Sequence, residues 1–339
     1  MKIGYIILGI LIFLIIAFIT EYLILTKTNF HKINYPEFYK GNDFKLKKDE
    51  CYNKNVEFGK KLANQSTIVF CGLARNIEDV IFKNIKKLEN TGKYFKDYKI
   101  VIFENDSEDK TREIITKMSK ENNKIILLSC ENIPGATANC KINSEVLYDI
   151  GTFSKKRMEK MAFYRNQYLN YVKHNLNNFD YCMVVDMDFE GLYNDDGVLH
   201  SLSFKDWDMI AVNGRFQLPG TLGNVTMMYD SLAYIPIEGE FTEKINIYDA
   251  MTKFLSMNEK INSCPTKLLP VTSAFNGIAI YKMNAFIKGN YNSFFCCEHV
   301  DFNKSLIDKG HNKLYVNPNF ICYMGIQGPR NKVIKSLFS

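Results

Sequence analysis

Nine cysteines are spread along the 339 residues without one Cys-x-x-Cys pair, so the ligand spacing of a zinc site is missing. An odd count cannot pair completely, and nothing in the spacing demands disulfides. Cys71 and Cys182 sit inside strand-like runs and read as small core residues. Arginine is scarce, with six of the 43 basic residues. No long Lys/Arg run is interleaved with aromatics, so the net charge of +6 does not make a nucleic-acid surface. A Gly-rich phosphate loop is missing after the first strand-like run, where "GLARN" stands at 72–76 instead. Internal repeats and low-complexity tracts are also missing.

Apolar residues make up 46% of the chain and aromatics 14%, enough for a sizeable core. The N-terminus carries 18 uncharged residues, Ile3 to Thr20, followed by Glu21 and "YLIL". About 18–23 helical residues reach roughly 27–35 Å, the thickness of a bilayer core. A signal peptide has a shorter apolar region and a small-x-small cleavage site, which is not found here. The reading is a transmembrane anchor over 1–26, a polar stem over 27–65, a folded domain over 66–330 and a tail over 331–339.

From Ser66 the pattern becomes regular. "STIVFCGLA" reads as a buried strand, and apolar positions 77, 81, 85 and 88 then form a helical stripe. "YKIVIFE" is a second strand, ending in "NDSEDKT". Ser107 is placed to cap the helix that carries Ile114, Ile115 and Met118. "KIILLS", "YCMVVDMD" and "WDMIAV" are further strands, and a long helix runs from about Ser154 to His174. Strands alternating with helices imply an α/β fold with a mostly parallel sheet. In such sheets ligands bind beyond the carboxyl ends of the strands, where Arg75, Asn76, Glu104 to Ser107, Asp186 and Asp188 fall.

Asp186 and Asp188 stand one residue apart at the end of a buried strand, so in an extended chain they face the same side. Two hard oxygen ligands suit Mg2+ or Mn2+ with positions left for phosphate. An acidic turn is the plainer alternative. Met158, Met161, Arg165, Tyr168 and Val172 step by 3, 4, 3 and 4, which puts Arg165 on the apolar face of its helix. There it is either a structural ion pair or a guanidinium held for a phosphate or for Asp186. In "CCEHVDF", Glu298 emerges at the edge of the core, and Asp301 shares its face if a helix starts there. Such carboxylates serve either as catalytic groups or as an acidic helix N-terminus.

The blocks "STIVFCGLARN", "ENDSEDKT", "RMEKMAFYRN" and "VVDMDFEG" resemble, in order and spacing, GT-A nucleotide-sugar glycosyltransferases. "WDMIAVNGRF", "MMYDSLAY", "PVTSAFNGIAIYKMNAF" and "FFCCEHVDFNKSLIDKGHNKLYVNP" are similar to the fungal capsule-associated alpha-mannosyltransferase family. The resemblance covers Ser66 to Tyr323. It implies a GT-A type Rossmann-like mixed sheet flanked by helices, and transfer of a hexose, mannose first, from a GDP- or UDP-linked sugar to a glycan or glycoprotein. Ala74, Arg75, Asn76, Glu104 and Asp106 would line the nucleotide pocket, with Arg165 near the diphosphate. Asp186 and Asp188 would hold Mn2+ or Mg2+, with His299 and His311 as candidates for a further ligand. Asp230, Asn276 and Gly277 would shape the sugar and acceptor side, unless Asp230 and Asn276 only stabilise loops. Glu298, with Asp301, would act at the acceptor hydroxyl, as the base in an inverting enzyme or as a positioning group in a retaining one.

Two other readings use the same residues: a nucleotidyltransferase or nucleotide-sugar pyrophosphorylase, and a non-catalytic membrane adaptor that keeps the fold. Neither has a nucleic-acid partner. The lysines flanking the apolar run favour a cytosolic domain, whereas the resemblance favours a lumenal one in a Golgi/ER-type or viral-factory membrane. Sequons at Asn64, Asn224 and Asn303 permit glycosylation on the lumenal side.

Overall fold

The computed structural model describes residues 50–132, 148–149, 152–153, 155–191, 193–220, 223–242, 267–295 and 297–326, with Gly9, Ile12, Ile15, Ile16 and Ile19 of the N-terminal run. Those five are helical, and the four isoleucines stand about half exposed. Among the described residues no helix is long and apolar enough to cross a membrane. Most of the expected anchor, the stem up to residue 49, the sequon side chain of Asn224 and the tail lie outside the described residues.

The strands are β1 (Thr67–Ala74), β2 (Asp97–Glu104), β3 (Ile125–Ser129), the short β4 (Tyr148–Asp149) and β5 (Thr152–Phe153), β6 (Tyr181–Asp186), β7 (Met209–Gly220), β8 (Gly223–Met228), β9 (Ile235–Pro236), β10 (Leu269–Ser273), β11 (Ile278–Lys282) and β12 (Leu314–Ile326). One sheet runs β3-β2-β1-β6-β11-β7-β12-β10-β9, with β8 hydrogen-bonded to β7. β3, β2, β1 and β6 are parallel, and β11 enters antiparallel between β6 and β7. The mixed sheet that the resemblance implies is therefore present, whereas the mostly parallel sheet expected from strand–helix alternation holds for β3, β2, β1 and β6 and gives way to antiparallel pairing at β11, β8, β10 and β9.

Helices cover both faces. They are α1 (Glu50–Gln65), α2 (Glu78–Gly92), α3 (Thr111–Glu121), α4 (Lys155–Asn175), α5 (Asp195–Leu202), α6 (Met283–Phe286) and α7 (Glu298–Ile307). Strand alternation sorts the side chains into two cores. Val69, Cys71, Cys182 and Val184 join α4 and α7 through Tyr168, Leu169, Val300 and Phe302. Ile68, Phe70, Met183 and Val185 join α1, α2 and α3 through Val56, Ile81, Ile85 and Ile115. With both faces covered, β1 and β6 need unbroken apolar runs, as their sequences have. Cys71 and Cys182 are buried and free, as expected, but Cys130 after β3 is disulfide-bonded, with its partner outside the described residues.

Three local expectations change. The stem boundary at 65 falls inside folded structure, because α1 buries Tyr52, Val56, Gly59 and Ala63 and Tyr52 stacks on His200 of α5 at 4.8 Å. Ser107 does not cap α3: Lys110 holds the cap position, and the Ser107 hydroxyl accepts from the Asn76 backbone N–H at 3.1 Å. Asn303 is fully buried and donates to Ser273 and Ala274, so its sequon is closed in the folded chain.

Gly59 lets α1 approach α5 closely. A Cβ there would stand 1.8 Å from the Leu199 carbonyl oxygen. Gly59→Ala is therefore expected to destabilise the fold by about 1–3 kcal/mol, the usual cost of overpacking. Thermal melts of the variant check this; an unchanged melting temperature would mean that α1 is only loosely attached.

Candidate active site

β1 and β6 run parallel and end together, with Leu73 paired to Asp186. Beyond their carboxyl ends lies a cavity of about 410 Å3 lined by Arg75, Asn105, Arg157, Tyr164, Arg165, Asp186, Asp188, Tyr229, Asp230, Phe275, Glu298 and His299, among others. Asp186 and Asp188 both reach it; Met187 between them also borders it while packing into the core with Phe70 and Val185. The strand ends at Asp186 and a turn follows at 187–188, so the two aspartates come to one cavity through that turn and not through extended alternation.

Arg165 organises this cavity. It is 3% exposed, its Nε donates to Glu298 Oε1 at 2.8 Å, and its Nη2 donates to Asp186 Oδ1 at 3.2 Å. Nη1 faces the Tyr168 hydroxyl at 3.4 Å. The inward guanidinium is thus an ion-pair hub rather than a free phosphate donor, and Asp186 is one of its partners. Burial raises the Asp186 carboxyl to about 7; Arg165 opposes the shift, and Asp188 and Glu298 add to it. Burial also raises the Asp230 carboxyl, with Asp186 and Glu298 adding to it. Four carboxyl groups, Asp186, Asp188, Asp230 and Glu298, line one cavity with three arginines, Arg75, Arg157 and Arg165, and the crowding of the carboxyls adds to burial in raising those of Asp186 and Asp230.

Glu298 opens α7 and is 4% exposed. It is both a helix N-terminal acid and a wall of the cavity. Asp301 does not line the cavity: it accepts from the Phe295 N–H at 2.9 Å and faces a separate groove with Lys304 and Asp308. Its catalytic assignment is withdrawn, because its carboxylate secures the turn before α7.

The nucleotide-side expectations divide. Arg75 lines the cavity, and its buried Nε has no partner. Ala74 is buried at the end of β1 and does not line it. Glu104 is buried and committed to the Ser107 N–H at 2.6 Å and Arg112 Nε at 3.0 Å. Asn76 Oδ1 accepts from the Glu108 N–H at 2.8 Å. Glu104 and Asn76 therefore build the loop instead of lining the cavity. Asp106 does not line it either, although its charge reaches Tyr164.

Asn276 Nδ2 donates to the Val212 carbonyl at 2.8 Å, and the Gly277 carbonyl accepts from the Asp186 N–H at 2.9 Å. This turn braces the end of β6 and does not line the cavity. His311 Nδ1 meets Asp208 at 3.0 Å at the start of β7. That is the opposite end of the sheet from Asp186, about 16 Å away along β6 at ~3.3 Å per residue. His311 is thus corrected from metal ligand to strand-end hydrogen-bond partner. Among the described residues, no group of three or more His, Cys, Asp or Glu is placed to hold a metal, so His299 is not gathered with the Asp186–Asp188 pair.

Among the described residues, the non-glycine ones with positive φ are Asn76 (51°), Asp106 (53°), Asp230 (57°) and Asn276 (58°), all singled out from the sequence. Asn and Asp tolerate this region best, and strained backbone of this kind clusters at functional sites. The sequence reading missed Arg157, Tyr164 and Tyr229. Tyr164 and Arg157 share a helix with Arg165, but no local signal turns them to the cavity. Tyr229 precedes Asp230, and its hydroxyl is held above its ordinary range by burial and by Asp186.

No family model matches the chain, and no curated protein matches it. Solved structures do. The mannosyltransferase PcManGT from Pyrobaculum calidifontis, in complex with GDP-Man and Mn2+, is 10% identical over 83% of this chain and 67% of its own, with a TM-score of 0.43. TarS 1–349 from S. aureus is 12% identical over 76% of this chain and 60% of its own, at 0.42. Glucosyl-3-phosphoglycerate synthase from Mycobacterium tuberculosis, with Mn2+, UDP and glucosyl-3-phosphoglycerate, is 12% identical over 84% and 78%, at 0.41. At such identities and scores the chemistry has to be read from this chain's own side chains.

Proposed function

We propose that this chain is a metal-dependent glycosyltransferase of GT-A type, moving a hexose from a GDP- or UDP-linked sugar to a hydroxyl of a glycan or glycoprotein. Mannose is the first candidate, from the family resemblance. The observation that carries the proposal is the Asp186–Asp188 pair beside Arg165 and Glu298 in one cavity at the ends of β1 and β6.

The donor set fits a divalent cation. Asp186 and Asp188 offer hard oxygens, and a cation beside them would relieve the mutual repulsion that adds to burial in raising the Asp186 carboxyl. When bound, Mn2+ or Mg2+ supplies charge neutralisation to a diphosphate leaving group. The chain's own residues do the rest. Arg75, with its unpartnered Nε, and Arg157 bring positive charge to the phosphates. Arg165 holds Glu298 and Asp186 in fixed relation. Glu298 faces the acceptor hydroxyl. The apolar walls, Met158, Met161 and Phe275, exclude water. The apolar run 3–20 supports attachment to a membrane, and the family resemblance favours a Golgi/ER-type or viral-factory one.

Incubating the protein with a panel of nucleotide sugars and Mn2+ is expected to give slow hydrolysis of one GDP- or UDP-sugar. The matching diphosphate at 100 times its Kd should add about 2.7 kcal/mol of stability, read as a higher melting temperature. A preference for triphosphates would favour a nucleotidyltransferase, and indifference to every nucleotide would favour an adaptor.

A further inference from the structure

His299 is a cavity residue that this scheme leaves unused. Its ring lies flat on Phe275, centroids 3.5 Å and planes 13° apart, and meets Tyr291 edge-on at 5.7 Å. The residue is 2% exposed, yet neither Nδ1 nor Nε2 has a hydrogen-bond partner. Nε2 stands 3.9 Å from Glu298 Oε1, beyond hydrogen-bond reach. A buried polar atom left unmade costs about 1–3 kcal/mol. Two on one ring, in the wall of a cavity, call for a partner that enters from outside the chain.

The chemistry of that partner follows from the surroundings. Burial and the Arg165 guanidinium both hold the imidazole well below its ordinary proton affinity. The ring therefore offers one N–H donor and one lone pair. Arg165 lies 5.2 Å from the same Phe275 ring on which His299 stacks, and a second cation beside it would be repelled. A phosphate only accepts and brings no donor to the ring's lone pair. A hydroxyl donates or accepts as the ring requires, and a sugar carries hydroxyls on adjacent carbons.

We propose that His299 reads a hydroxyl of the transferred hexose and is a specificity-determining residue of this cavity. The inference rests on the glycosyltransferase reading above and adds to it the group that recognises the sugar.

The test compares kcat/KM for the preferred donor and for its monodeoxy analogues, with full-length wild type, His299→Ala and His299→Gln. Wild type should lose roughly 10–100-fold on one analogue, the range expected for leaving a buried partner unmade. His299→Ala should lose a similar factor on the parent donor and treat that analogue as wild type does. His299→Gln, which still donates and accepts, should keep part of the discrimination. The ratio of parent to analogue within each variant does not depend on how much of it folds. Mn2+ affinity, read from the paramagnetic resonance of free Mn2+, should be equal in all three. Discrimination in His299→Ala equal to that of wild type would overturn the assignment. Loss of Mn2+ affinity in step with activity would overturn it in favour of a metal ligand. If wild type turns over no nucleotide sugar, the glycosyltransferase reading falls and this inference with it; if wild type is active and the ratios do not move, only the role of His299 falls.

Discussion

Asp188→Asn is expected to abolish sugar transfer, a loss of at least ~10³-fold, because it removes one of the two hard oxygens that would hold the cation and several kcal/mol of charge stabilisation depend on that ion. Asp186→Asn should do the same for activity but differ in stability. The Asp186 backbone N–H is already held by the Gly277 carbonyl, and its carboxylate is one of two facing Arg165. Burial works against its charge and lifts the carboxyl to about 7. A neutral amide of the same shape escapes that penalty, so metal-free Asp186→Asn should melt at the wild-type temperature or above it. Residues poised for function often cost stability in this way. Both variants should lose the Mn2+-dependent rise in melting temperature with GDP or UDP. Full activity in both would remove the metal hypothesis altogether.

Glu298→Gln should lower turnover by about 10²–10⁴-fold, the range of a positioned acid–base group. From the sequence alone its effect would be confined to the chemical step, since the metal and nucleotide contacts belong to other elements. The structure predicts otherwise. One guanidinium touches Glu298 and Asp186 together, at 2.8 and 3.2 Å, so losing the first carboxylate redirects Arg165 toward the second. Glu298→Gln and Asp186→Asn are therefore expected to be non-additive, by about 0.5–3 kcal/mol in a double-mutant cycle on Mn2+-dependent nucleotide binding. Strict additivity would show that the Arg165 bridge transmits nothing, and near-normal turnover in Glu298→Gln would reduce this residue to the first acid of α7.

The sequence by itself determined most of the elements from β1 to β7 and their apolar faces, because those are local properties, whereas α1 read as stem and the strands after Gly214 were not legible. Alternation and unbroken apolar runs marked β1 and β6, and the 3–4 stepping of Met158 to Val172 placed Arg165 on the inward face of α4. The sequence marked Asp186 and Asp188 as a pair at a strand end, and the turn at 187–188 decided that both reach the cavity. Partners distant in the chain were decided by the tertiary structure. Glu298 reaches Arg165 across 133 positions, and no short pattern encodes that meeting. The strand order decided the rest. With β11 antiparallel between β6 and β7, Gly277 comes against Asp186, whereas Asp208 and His311 are carried to the far end of the sheet. Glu104, Asn76 and Asn276 read as ligand groups because they are polar residues at strand ends. Buried loops need such groups for their own N–H and C=O partners, and only packing shows which are spent that way. Asp301 shares a helix with Glu298 but meets the Phe295 N–H instead of the cavity, a difference of side-chain direction within one helical turn. His299 was legible as a residue near the site, but its two unpartnered nitrogens became visible only in the packing against Phe275 and Tyr291.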